Sequence, residues 1–132
     1  MSDNDDSVDW RKLREFADVD LTKSFVLSWQ AEAGTLFIDV DLHLLPNHPF
    51  YEKPRPAEKV CIRPALIEFP YCQSVKSDGH DETANIGAAI EHLGIGAIEG
   101  LRRLASGRYE IRGEFGTVLF DAERPVLRLK SP

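Results

Sequence analysis

From Thr35 to Leu45 apolar and polar residues alternate. Leu36, Ile38, Val40, Leu42 and Leu44 share one parity, and Asp39, Asp41 and His43 share the other. A period of two held over that length predicts a β-strand with one buried face. A second run, Ser24 to Gln30, precedes it across Ala31-Glu32-Ala33-Gly34. Phe25, Leu27 and Trp29 share a parity there, with Val26 also apolar. The two runs predict an antiparallel hairpin, half-buried, as the start of a mostly β domain.

Elsewhere the pattern gives shorter elements. Ser7 is placed to cap a helix in which Trp10, Leu13 and Phe16 recur at three-residue spacing, ending near Asp18. Residues 46–56 carry four prolines, which exclude a helix or a central strand and predict an extended, stiff loop. Cys61, Ala65, Ile67 and Phe69 share a parity with Arg63, and Pro64 marks that strand as edge-like or bulged. Ile86, Ile90 and Leu93 fit a short helical face ending at Gly94, followed by a strand from about Ile95 to Leu104. Ser106-Gly107 signals a hairpin turn, and Gly116 a bulge or tight turn. Tyr109, Ile111 and Phe115 are expected on one strand face, with Arg108, Glu110, Arg112 and Glu114 on the other. After a turn at Glu123-Arg124-Pro125, Val126 to Lys130 ends the fold. The expectation is a mainly β chain (α+β as the variant), an antiparallel sandwich or half-open barrel. Six to eight short strands would accompany one or two short helices. Residues 1–7 read as an acidic flexible tail and 8–132 as one globular domain.

Composition narrows the classes of function. At 132 residues with 42% hydrophobic content, the chain is large enough to bury a core without staples. No apolar run approaches the ~20 residues of a membrane span, and the N-terminus is acidic rather than basic and then apolar. The protein is therefore expected in the cytoplasm, with no membrane partner. Net charge is -6, which repels phosphate and argues against nucleic acid as a partner. Seven bases between residues 101 and 132 form a local exception. Cys61 and Cys72 are the only cysteines and lack any zinc-finger or Cys-x-x-Cys spacing, so both are expected reduced, Cys61 in the core and Cys72 partly exposed.

Candidate chemistry is sparse. No nucleophile elbow, phosphate-cradling loop or dinucleotide fingerprint is present, so no catalytic residue and no cofactor are assigned. Asp39, Asp41 and His43 lie on one strand face at about 6.6 Å intervals, a first shell too wide for one metal unless His48, His80 or Asp81 closes it. That face equally suits a solvated side of an antiparallel sheet. The His80-Asp81-Glu82 cluster lacks the carboxylate spacing of a calcium loop. The proline-rich loop differs: it carries His48, Phe50, Tyr51 and Arg55 on a backbone with little entropy left to lose. Aromatics beside arginine suit a contact surface for a protein partner or a homodimer. The competing role for Phe50 and Tyr51 is to seal an open end of the core.

Leu-Thr-Lys-Ser-Phe-Val-Leu-Ser-Trp from Leu21, and Leu-Leu-Pro-Asn-His-Pro-Phe-Tyr-Glu-Lys-Pro-Arg-Pro-Ala-Glu-Lys-Val-Cys from Leu44, resemble a family of small bacterial proteins of unknown function. The likeness covers about residues 19–72 and is fainter around Gly113-Glu-Phe-Gly116. The hairpins also resemble those of some toxin-immunity proteins. The resemblance implies a bacterial origin and carries no site residue with it. The expectation is a non-catalytic interaction module of immunity-protein type. The alternative is a small-molecule or metal-binding domain, hydrolytic in one form, centred on Asp39, Asp41 and His43.

Overall fold

The computed structural model describes residues 7–54, 56–57, 59–77 and 85–130. Arg55, the His80-Asp81-Glu82 cluster and the tail up to residue 6 lie outside these residues. Among the described residues nine strands run in order: β1 (Val8–Asp9), β2 (Val19–Glu32), β3 (Thr35–Leu44), β4 (Cys61–Phe69), β5 (Ser74–Ser77), β6 (Gly96–Arg103), β7 (Tyr109–Gly113), β8 (Gly116–Asp121) and β9 (Val126–Leu129). One short helix, α1 (Ile86–Ala89), separates β5 from β6. The fold is mainly β, as the alternation predicts, with one strand more than the upper expectation because the two-residue β1 adds to β6.

All pairings are antiparallel, and the spatial order is β5-β8-β7-β6-β2-β3-β4-β9. The sheet is folded in two at β6. Only Gly96 and Ala97 of β6 pair with β2, while Ile98 to Arg103 pair with β7, and its last two residues also with β1. The two leaves meet through aromatic rings. Phe69 of β4 lies 5.0 Å from Tyr109 of β7 and 4.6 Å from Phe120 of β8. Leu36, Ile38, Val40, Leu42 and Leu44 are all buried between the leaves, along the parity read from the sequence.

The β6 corner needs glycine. A Cβ on Gly113 would lie 2.3 Å from the Ala97 carbonyl oxygen, so no larger residue fits where β6 crosses from one leaf to the other.

Three local expectations change. Trp10, Leu13 and Phe16 are buried as a set, but on two 3-10 turns, Trp10–Lys12 and Arg14–Phe16, rather than on an α-helix. Two successive spacings of three match the three-residue turn of the 3-10 form, where i and i+3 stack. Asp9, not Ser7, caps the first turn, accepting from Arg11 N. In β2 the shared parity of Phe25, Leu27 and Trp29 is broken by an irregularity between Val26 and Ser28. Val26 and Trp29 go to the core, and Phe25 and Leu27 face out at 47% exposure each. Phe115 sits in the β7–β8 turn instead of on β7, edge-on to Trp29 at 5.5 Å.

Most other expectations hold, although β4, expected to be edge-like or bulged at Pro64, is paired on both sides in unbroken register. The segment before β6 is a short helix followed by a 3-10 turn (Ile90–His92), and Gly107 turns β6 into β7 with φ 91. Cys61 and Cys72 are free, but Cys72 is buried rather than partly exposed. Its N–H donates to Gly34 O at 2.7 Å, which draws its turn onto the β2–β3 hairpin. Among the described residues, no helix is long and apolar enough to cross a membrane.

The β2–β3 turn gives a direct test. Ala33 and Gly34 both have positive φ, 51 and 80, the pair required for a two-residue type I′ hairpin. Ala33 therefore carries a left-handed strain of about 1–2 kcal/mol, of which glycine's greater unfolded entropy returns about 0.5–1 kcal/mol. Ala33→Gly is expected to stabilise the protein by the difference, up to about 1 kcal/mol, in urea unfolding. A midpoint at or below that of the parent would show the turn to be unstrained.

Candidate functional site

The strand register sets out the outer face of the β2-β3-β4-β9 leaf as four rows. Asp20, His43 and Ile62 form the first, and Phe25, Asp41, Pro64 and Lys130 the second. Ser28, Asp39, Leu66 and Arg128 form the third, and Gln30, Phe37, Glu68 and Val126 the fourth. The sequence-predicted trio Asp39, Asp41 and His43 is thus the central column of this face.

Each member of the trio has its own surroundings. Asp39 is only 7% exposed. It accepts from Ser28 Oγ at 2.8 Å and Gln30 Nε2 at 3.0 Å, and forms an ion pair with Lys130, which reaches across β4 from the end of β9. Burial alone would raise its carboxyl pKa; the hydrogen bonds from Lys130 and Ser28, with the Lys130 charge, outweigh that and hold it below the usual carboxylate value. Asp41 is half-buried between Phe25 and Pro64. His43 is 8% exposed. Its backbone N–H donates to the buried Ser24 hydroxyl, which donates to Asp20 O at 2.8 Å. Ser24 thereby closes the ladder where residues 21–24 of β2 loop out opposite Leu42. Among the described residues no three His, Cys, Asp or Glu side chains are grouped to hold a metal ion.

The proline-rich loop is held by its own polar groups. His48 N donates to Leu45 O, Tyr51 N to His48 O, and Phe50 N to His48 Nδ1 at 3.1 Å. Arg63 of β4 binds Glu52 at 3.0 Å. Burial keeps the His48 imidazole below its usual pKa, against the opposing pull of the Asp18 carboxylate, so the ring is neutral and Nδ1 free to accept. The two aromatics divide the roles weighed from sequence. Tyr51 is half-buried and packs on the core. Phe50 is 64% exposed, and it borders a hollow of about 100 Å³ with Glu52, Arg63, Pro64, Leu129 and Lys130.

Lys130 therefore joins the two regions. It ties Asp39 on the outer face and lines the hollow under Phe50. Sequence reading did not single out Lys130, Pro64 or Leu129, because their roles come from β9 docking on β4. The backbone of β9 adds a further feature. Lys130 N donates to Pro64 O at 3.0 Å, so the backbone groups of Arg128 and Val126 face β4 as well. Successive residues alternate sides, which turns the N–H and C=O of Leu127 and Leu129 outward. Among the described residues no strand pairs with that side.

The remaining candidates are occupied. Glu110 takes Arg102 at 2.8 Å and Arg112 at 3.8 Å, and Glu114 accepts from Ala97 N, so this row is internally compensated. Burial raises the Cys72 thiol to about 11, which leaves it protonated and a poor nucleophile at neutral pH. No family model matches the chain, nor does any curated protein or solved structure.

The Lys130–Asp39 pair is expected to hold β9 in place. Lys130→Met should cost about 1–2 kcal/mol, a charge-assisted hydrogen bond discounted for the half-exposed lysine. It should also speed amide exchange at Arg128 and Lys130. The pH dependence has a definite sign. The folded Asp39 carboxyl titrates below its unfolded value of about 3.9, so its stabilisation is complete above that pH and drains as pH falls through the folded value. Asp39→Asn should flatten the acid limb of the stability curve; an unchanged limb would place the acid sensitivity elsewhere.

Proposed function

We propose that this protein is a non-catalytic interaction module that grips an extended segment of a protein partner at the β9 edge, with Phe50 as its anchor. The observation that carries the reading is Phe50, 64% exposed on a loop fixed by its own hydrogen bonds. Burying the exposed part of such a ring contributes about 2–3 kcal/mol, and a pre-ordered loop loses little entropy when it is gripped. The outward backbone of Leu127 and Leu129 supplies the main-chain hydrogen bonds that strand addition uses.

The register disfavours a homodimer at this edge. A two-fold antiparallel pairing that uses both leucines sets Arg128 opposite its own copy, and like charges directly opposite destabilise a ladder. The partner is therefore a different chain. Its strand would lie beside Val126, Arg128 and Lys130, a column that suits acidic residues at alternate positions. An inhibitor of immunity type is one module of this kind, and two unpaired cysteines suit the reducing cytoplasm. No observation favours the metal or small-molecule alternative at Asp39, Asp41 and His43, since Asp39 already accepts from three side chains.

Photo-crosslinking tests the surface directly. A crosslinker placed at position 50 in cells should trap a partner, and one at position 76, on the β5 edge, should not. Phe50→Ala should change stability by less than about 0.5 kcal/mol, as surface substitutions do, yet abolish the crosslink from a neighbouring position such as 52. Capture should also weaken as pH falls through the folded pKa of His48, which burial holds below the ordinary imidazole value, because protonating His48 at Nδ1 breaks the bond from Phe50 N. Equal trapping at positions 50 and 76, or none at either, would end this reading.

A further inference from the structure

A second cavity, of about 240 Å³, opens between the β6–β7 turn and the β8–β9 connection. Arg103, Ser106, Tyr109, Asp121, Glu123 and Arg124 line it. Tyr109 is its unusual wall. The residue is 1% exposed, and its ring is locked between Phe69 at 5.0 Å and Phe120 at 6.0 Å. Its buried hydroxyl has no hydrogen-bond partner among the described residues. A buried phenol usually finds one.

The surroundings of that hydroxyl indicate what is missing. Burial raises the Tyr109 pKa most; Arg103 and Arg124 pull it back, and Glu15 and Glu123 push it up. Three of those four residues, Arg103, Glu123 and Arg124, line the cavity beside Tyr109. The phenol stays protonated and is a donor without an acceptor. Glu15 stands behind Arg124, with Oε2 at 3.7 Å from its Nε, and the other carboxylate oxygen, Oε1, is buried without a donor. Arg103 has no ion-pair partner among the described residues either. Ser106 Oγ accepts only a long bond from Arg108 N, leaving its hydrogen to donate.

Charge decides between ligand classes. Arg103 and Arg124 are balanced by Asp121 and Glu123, so the lining has no net charge to attract a dianion such as phosphate. A ligand with both signs gains at both kinds of group. Size points the same way: the cavity is smaller than the roughly 300–1,000 Å³ of sites for drug-sized molecules, and well above the about 30 Å³ share of one water. We propose that this cavity binds a small zwitterion of the α-amino-acid class. Its carboxylate meets the Tyr109 hydroxyl and Arg103, and its ammonium turns toward Asp121 and Glu123. The site is separate from the Phe50 surface and does not rest on it.

Calorimetry and thermal melts of the full chain test this, with the standard L-amino acids, acetate and inorganic phosphate as probes at millimolar concentration. At least one amino acid should raise the melting temperature and bind more tightly than acetate or phosphate. Tyr109→Phe and Arg103→Gln should each weaken that binding by roughly tenfold or more. Without ligand, Tyr109→Phe should melt no lower than the parent, since it deletes an unbonded hydroxyl. Four results would overturn the proposal: no amino acid binds; acetate or phosphate binds as well; the two variants bind normally; or ligand-free Tyr109→Phe melts lower. The last would show that the hydroxyl is bonded within the fold, through ordered water.

Discussion

The crossing of β6 from one leaf to the other is the constraint on which the structure depends. A flat sheet of nine strands would leave both faces of every strand in water. By giving Gly96 and Ala97 to β2 and the rest of its length to β7, β6 folds the sheet onto itself. Phe69 is then brought against Tyr109 and Phe120 from chain positions far apart. The crossing works because Gly113 has no side chain where the Ala97 carbonyl passes. Aromatic pairs of this geometry add about 0.5–1.5 kcal/mol each beyond their buried area, so the corner and the core are energetically coupled. Tyr109 is held in its place by the same contact, and its hydroxyl is carried to the edge of the core as a consequence.

Folding the sheet in two leaves two ends to manage. At one end of the strand order stands β5, contacted by α1. At the other stands β9, four residues long, with the backbone of Leu127 and Leu129 turned away from β4, its only partner strand among the described residues. A strand so short gains little from its own ladder. The Lys130–Asp39 pair therefore matters more here than a typical surface ion pair would, because the carboxylate is buried and accepts two further hydrogen bonds. The acidic face of β3 is in this sense structural: it supplies the counter-charge that fixes the edge.

How much of this was legible in the sequence varies with the distance over which the signal acts. The alternation of β3, the Ser106-Gly107 turn and the three-residue spacing of Trp10, Leu13 and Phe16 are local, and each yields an element where it occurs. The irregularities in β2 are not legible: nothing in Leu21-Thr-Lys-Ser24 shows that four residues will stand opposite Leu42, or that Leu27 will be extruded. Those depend on what β3 and β6 present across the ladder. The site divides in the same way. The proline-rich loop is evident from composition, but its backbone has no period, so which of Phe50 and Tyr51 turns inward is decided only by the core beside it. Lys130 lies 91 residues from Asp39, and no local pattern connects them.

The two proposed surfaces follow from two different ways of leaving a group unmatched. At the β9 edge the unmatched groups are backbone amides and an aromatic ring, both exposed to water, which costs little in the free protein and favours a large extended partner. At Tyr109 the unmatched group is a single buried hydroxyl on a residue that lines a charged cavity. Leaving such a donor unsatisfied costs about 1–3 kcal/mol, an amount that a small ligand returns on entry. A surface of the first kind selects its partner by shape along an extended chain. A cavity of the second kind selects by the placement of one donor and one acceptor. Arg124 contacts Glu15 and lies just before β9, so the connection that lines the proposed cavity site is the one that leads into the edge strand.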